Sequence, residues 1–140
     1  MQPMIVNPLE AFAVLAEDRD SIYVDVRTVA EFAITHPKAA RVVNVPYQFF
    51  HPTTREIHAN DSFALVTNEV FAKDARLILG ADDGERAVEA ANALIADGFS
   101  NISCMSQGLT GWNRYGLPTT ADNRPGVSYV SLLITAKRKK

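Results

Sequence analysis

The sequence predicts an α/β fold whose mostly parallel sheet is covered by helices on both faces. Three observations carry this. Short apolar runs at 21–26, 41–45, 76–80 and 101–105 have the length of buried strands. Segments with helical spacing alternate with them, and no internal repeat points to a solenoid or propeller.

The elements follow in order. Asn7-Pro8 reads as an N-cap and first helical residue, and Leu9, Phe12, Ala13, Leu15 and Ala16 give that helix one apolar surface until it fades near Asp18. The 21–26 strand alternates Ile22, Val24 and Val26 with Tyr23 and Asp25, and Arg27 ends it. Thr28 and Glu31 have capping-box spacing for a second helix. His36-Pro37 closes that segment, and Pro46 limits the 41–45 strand. Residues 47–75 read as an insertion: Tyr47, Phe49 and Phe50, a loop through His51 to Thr54, then a helix capped by Asp61 or Ser62.

Residues 76–80 empty into a polar loop, Ala81 to Arg86, and then into a helix with Ala87, Ala90, Ala91, Leu94 and Ile95 on one face and Gly98 as its stop. A last strand at 101–105 and a short helix at 109–115 follow. Pro118, Pro125 and Gly126 interrupt regular structure, and 129–135 reads as an added strand or a helical turn. The expected organisation is one domain over 1–120 and a C-terminal extension over 121–140 with a basic end.

At 140 residues and 47% hydrophobic content the chain is long enough to bury a core. It has no apolar run long enough to span a bilayer, and its first residues lack a signal-peptide pattern, so a soluble cytoplasmic location is expected. A single cysteine, Cys104, excludes an intrachain disulfide and fits a reducing compartment. The formal charge is −2, although the last four residues, Lys137 to Lys140, are all basic, so the body before them is more acidic than that figure. This balance gives no reason to expect nucleic acid as a partner, and the basic end reads as a solvated tail. His51 and His58 lack metal-ligand spacing, so no metal is expected, and no motif calls for a cofactor.

The ordered set of motifs resembles the rhodanese-homology domain. Asp25-Val26-Arg27 followed by Glu31-Phe32, His36 and Asn44-Val45-Pro46 matches its first signature. The loop Ala81-Asp82-Asp83-Gly84-Glu85-Arg86 matches its active-site loop in the length of the sulfurtransferases, and Gly108-Leu109-Thr110-Gly111-Trp112 matches its closing signature. The resemblance runs from about Leu9 to Thr119. It implies a three-layer rhodanese-like fold, a structural role for Asp25, Arg27 and Trp112, and a persulfide-carrying cysteine at the first loop position. That position here is Ala81, which cannot form a persulfide or a phosphoenzyme.

The resemblance and the substitution together imply a non-catalytic domain, a protein-binding or regulatory module that uses the acidic former active-site loop. Asp82, Asp83 and Glu85, with Phe49 and Phe50, are the expected contacts for a basic protein partner. One alternative is a sulfurtransferase or other thiol-dependent enzyme using Cys104 as a rescue nucleophile or a cysteine of its partner; the preferred reading of Cys104 is a small buried strand residue. Another is binding of a small anion by the loop backbone and Arg86, which the acidic rim disfavours. Arg27 is expected to pair with Asp25 or with Glu31.

Overall fold

The computed structural model describes residues 2–51, 53–82 and 85–138. The chain enters as β1 (Met4–Val6) and turns at Asn7 into α1 (Pro8–Glu17). Asn7 Oδ1 accepts from Glu10 N–H at 2.8 Å while Glu10 Oε1 accepts from Asn7 N–H at 2.9 Å, so the turn is capped in both directions. Next come β2 (Ile22–Asp25) and α2 (Val29–Ile34), where Thr28 and Glu31 form the expected capping box. The following elements are β3 (His36–Pro37), β4 (Val42–Asn44), β5 (Gln48–Phe50), β6 (Ile57–Ala59), α3 (Phe63–Val70) and β7 (Leu77–Gly80). The chain closes with α4 (Glu85–Ala96), β8 (Ile102–Met105), α5 (Gly108–Arg114), β9 (Thr119–Thr120) and α6 (Tyr129–Arg138).

Five strands form the central sheet in the order β1-β8-β7-β2-β4, with every neighbouring pair parallel. Alternation along the strands divides the core in two. Ile22, Val24, Leu77, Leu79 and Cys104 face α3, α4 and α6. Val6, Tyr23, Ile78 and Met105 face α1 and α5 around Trp112. This is the three-layer arrangement, and burial on both faces explains why the strand segments read as nearly continuous apolar runs.

Four features differ from the sequence expectation. β1 is not expected from the sequence, because Met4 and Ile5 remain exposed and the strand forms no buried apolar run. His36-Pro37 is a short strand rather than a closing turn, paired antiparallel with Thr119-Thr120. The insertion begins with a β-hairpin, β5 against β6, before its helix. At that helix, α3, Ser62 holds the N-cap position without a side-chain bond, and its N–H is instead accepted by Asn60 Oδ1 at 3.0 Å. The 129–135 segment resolves to helix: α6 packs on α3 and contributes Tyr129, Leu132 and Ala136 to the larger core. Its first residue is tied back by Asn60 Nδ2 donating to the Tyr129 hydroxyl at 3.0 Å and to Pro46 O at 2.7 Å.

Candidate functional site

The loops that follow β2, β7 and β8 converge beyond the carboxyl ends of the parallel strands, where open α/β sheets place their ligand sites. The backbone there is tightly seated. A Cβ on Gly80 would overlap the Tyr23 hydroxyl, so only glycine fits the end of β7. Ala81 is 1% exposed, its methyl is part of the core, and its carbonyl accepts from Leu109 N–H at 2.8 Å. The neighbouring Gly108 has φ +56°, and a Cβ there would strike the backbone of Ala81 and Asp82. Thus the start of α5 braces the start of the loop. Asp83 and Gly84 lie outside the described residues.

Asp25 and Arg27 form a nearly fully buried ion pair. Arg27 Nη2 donates to Asp25 Oδ2 at 2.8 Å, Nε donates to Oδ1 at 3.0 Å, and the Arg27 N–H also donates to Oδ1. Burial pushes the Asp25 carboxyl above its usual value, against the pull of the guanidinium. Arg27 Nη2 also donates to Thr35 O, and Asn44 Nδ2 donates to the carbonyls of Asp25 and Arg27 at 3.0 Å each. These contacts lock the turn after β2. Trp112 is fully buried, with Nε1 donating to Pro118 O at 2.7 Å.

Of the two partners expected for Arg27, Glu31 is overturned. Glu31 instead reaches across to Arg86, accepting from Nη1 and Nη2 at 3.1 Å each, while Arg86 Nη2 donates to Asp82 Oδ1 at 2.8 Å. Although burial works upward on both carboxyls, hydrogen bonds from Arg86 outweigh it and hold Glu31 and Asp82 below the usual carboxylate range. The guanidinium also lies 5.4 Å from the centre of the Phe50 ring. Arg86 is therefore gripped by two carboxylates and a ring, which leaves it poorly placed to hold an incoming anion.

Phe49 and Phe50 do not act together. Neighbouring residues of a strand point to opposite faces, so Phe49 packs toward Tyr129, with ring centres 6.3 Å apart, while Phe50 is exposed at the mouth. Phe50's apolar companion is Ile57, its register partner across the hairpin, which is also exposed. Sequence reading missed Ile57, as well as Glu31, Gln48 and Glu89, which complete a cavity of about 390 Å³ with Phe50, Asp82, Glu85 and Arg86. Glu89 carried a usable signal, since it follows Glu85 by one helical turn. Ile57 became visible only with the hairpin register.

Cys104 lies in β8 in register with Leu79, beneath the first turn of α4, with Sγ 3.4 Å from Ala87 O. It is 1% exposed, and burial pushes its thiol up to about 11. Among the described residues no cluster of His, Cys, Asp and Glu is placed to hold a metal, and no helix is long and apolar enough to cross a membrane.

Residues 9–115 match the rhodanese-like domain family. The chain belongs to that family. It is 31% identical over 107 residues to rhodanese-like domain-containing protein 17 of Arabidopsis thaliana, covering 76% of this chain and 67% of that protein. It is 33% identical over 96 residues to senescence-associated protein DIN1 of Raphanus sativus, covering 69% of this chain and only half of that protein. Over 113 residues it is 30% identical to thiosulfate sulfurtransferase GlpE of Haemophilus influenzae, covering 81% and 90% of the two chains. The rhodanese-like fold is matched by the crystal structure of Rv0390 from M. tuberculosis, with TM-score 0.72 and 21% identity over 87% of this chain and all of that one.

Proposed function

We propose that this rhodanese-family domain is non-catalytic and that its mouth above β7 binds a basic segment of a protein partner. The carrying observation is the state of the site's chemistry: the only cysteine of the chain is buried with a raised pKa, and the residue at the head of the loop is the buried Ala81. A sulfur carrier needs an accessible thiolate. Among the described residues the mouth offers instead the carboxylates of Glu31, Asp82, Glu85 and Glu89 against Arg86, beside the apolar pair Phe50 and Ile57. Carboxylates attract and orient Lys or Arg side chains, and an exposed aromatic-aliphatic pair adds apolar contact.

The test is fluorescence anisotropy of a labelled Lys/Arg-rich peptide containing one leucine, alongside thiosulfate-to-cyanide sulfur transfer by the same preparation. Binding should weaken on adding salt and on Phe50→Ala or Glu85→Gln with Glu89→Gln, and sulfur transfer should not exceed that of Cys104→Ser. Binding indifferent to all of these changes removes the mouth as a recognition site.

The names of several relatives favour a second reading, since thiosulfate sulfurtransferases stand among them. On that reading the sulfur is carried by Cys104 or by a cysteine of the partner. Sulfur transfer lost in Cys104→Ser would establish the first route. Transfer appearing only when a thiol-bearing partner is added would establish the second.

A further inference from the structure

Opposite the β1 edge, the sheet ends at β4, whose one sheet neighbour is β2. Tyr23 N–H donates to Arg41 O at 3.0 Å and Val45 N–H donates to Asp25 O at 3.0 Å. In a parallel ladder alternate residues turn their peptide groups to the same neighbour, so 41, 43 and 45 face β2 while Val42 and Asn44 face outward. The outward N–H of Asn44 is taken by Val127 O at 3.0 Å. The outward peptide groups of Val42, a residue only 8% exposed, front a cavity of about 340 Å³ between β4 and the segment leading to Val127. A peptide N–H that faces a cavity with no strand beside it is a hydrogen-bonding position for whatever fills that space.

The rim of this cavity reverses the charge of the rest of the molecule. Lys38, Arg41 and Arg124 line it, and its one carboxylate, Asp122, is engaged by Arg124 Nε at 3.2 Å. Lys38 and Arg41 make no ion pair among the described residues, in a chain with 16 acidic against 14 basic side chains. Val70, Phe71 and Val127 supply apolar walls. The backbone around it is held in place: Lys38 N–H donates to Pro118 O at 3.0 Å, and β3 pairs with β9.

We propose that this cavity binds a small organic anion, with its carboxylate or phosphate group taken by Lys38, Arg41 and the Val42 N–H and its apolar body against Phe71 and Val127. Unpaired cations beside an apolar wall recognise that combination, whereas a neutral apolar ligand would forgo the charged contacts. The site is separate from the acidic mouth, because Val42 begins β4 and the mouth lies beyond the carboxyl ends of the strands.

The test is a titration of the full chain, followed by amide chemical shifts, with phenyl phosphate, benzoate, inorganic phosphate and benzyl alcohol. Phenyl phosphate or benzoate should saturate with shifts centred on 41–43 and 124–127, and whichever binds more tightly identifies the anionic group. Inorganic phosphate should bind more weakly, and benzyl alcohol should not saturate. Lys38→Gln with Arg41→Gln should weaken binding at least about tenfold, whereas Arg55→Gln with Arg114→Gln, which removes the same charge elsewhere, should change it less than about twofold. No saturable shift at these amides, or equal loss in the two double variants, overturns the proposal.

Discussion

Arg86 and Ala81 set the chemistry of the mouth at the scale of single residues. A cysteine in place of Ala81 adds one sulfur to a methyl site already in the core, an overpacking cost of about 1–3 kcal/mol. The expected outcome for Ala81→Cys is a folded protein with a lowered melting temperature and weak or undetectable thiosulfate sulfurtransferase activity. Arg86 is already bonded to Glu31 and Asp82, so an anionic donor meets a neutralised guanidinium. Adding Asp82→Ala releases one of those partners and should raise the rate above that of the single variant. A single variant as fast as ordinary sulfurtransferases would show that the carboxylates do not tune the site. His36 supplies a pH prediction. Its ring stacks on Phe32 at 3.6 Å and its Nδ1 lies 2.9 Å from Phe32 O, while burial pushes its pKa below the usual value. The unfolded chain therefore takes up the proton first, and stability is lost as pH falls from about 6.5 through the lowered folded value. Glu31 and Asp82 lose their contribution at still lower pH, and Asp25, raised by burial, acts in the opposite sense. Urea midpoints at pH 7 and pH 5 should consequently fall less in His36→Phe than in the parent protein.

At the scale of elements, Glu31 belongs to two devices at once. Its Oε1 closes the α2 capping box on the Thr28 N–H at 3.0 Å, and both carboxylate oxygens hold Arg86 at the start of α4. The carboxylate thus couples the turn after β2 to the helix after β7. Glu31→Ala should cost about 1–2 kcal/mol, the size of a lost cap with a partly buried ion pair, whereas Glu31→Gln retains an acceptor for the cap and should cost less. Denaturant midpoints at constant m-value decide this, and a loss in Glu31→Gln as large as that in Glu31→Ala would show that the cap contributes nothing beyond the charge. The same element logic explains why the N-cap at Asn7 and the capping box at Thr28 were readable from sequence, since their partners lie within one helical turn, although the Glu10 half of the Asn7 box emerged only in the structure. The Glu31–Arg86 bond joins residues 55 positions apart and leaves no local pattern.

On the scale of the whole molecule, α6 closes the face of the sheet that α3 and α4 cover, and Tyr129 links it to the end of the hairpin segment through Asn60. A chain ending at Ser128 should lose most of its cooperative thermal unfolding and bind a hydrophobic dye, because it exposes the apolar residues that Tyr129, Leu132 and Ala136 cover. Tyr129→Phe removes only the hydroxyl and should cost about 1 kcal/mol. A truncated chain as stable as the parent would make α6 an appendage. Apolar period, caps and turn residues act over a few neighbouring positions, and these were enough to specify the parallel α/β layering, four of the five strands of the central sheet, the N-cap at Asn7, the capping box at Thr28 and Glu31, and the loop after β7; burial of Trp112 came with the family resemblance, and burial of Cys104 with its place in a short apolar strand. Contacts between distant segments fix the rest: Arg86 is held by Glu31, Phe50 is paired with Ile57 rather than Phe49, β1 joins the sheet edge, and 129–138 is a packed helix. Each of these depends on register or on contact between distant segments, and a three-residue edge strand or a long-range ion pair draws its stability from neighbours that lie far away along the chain.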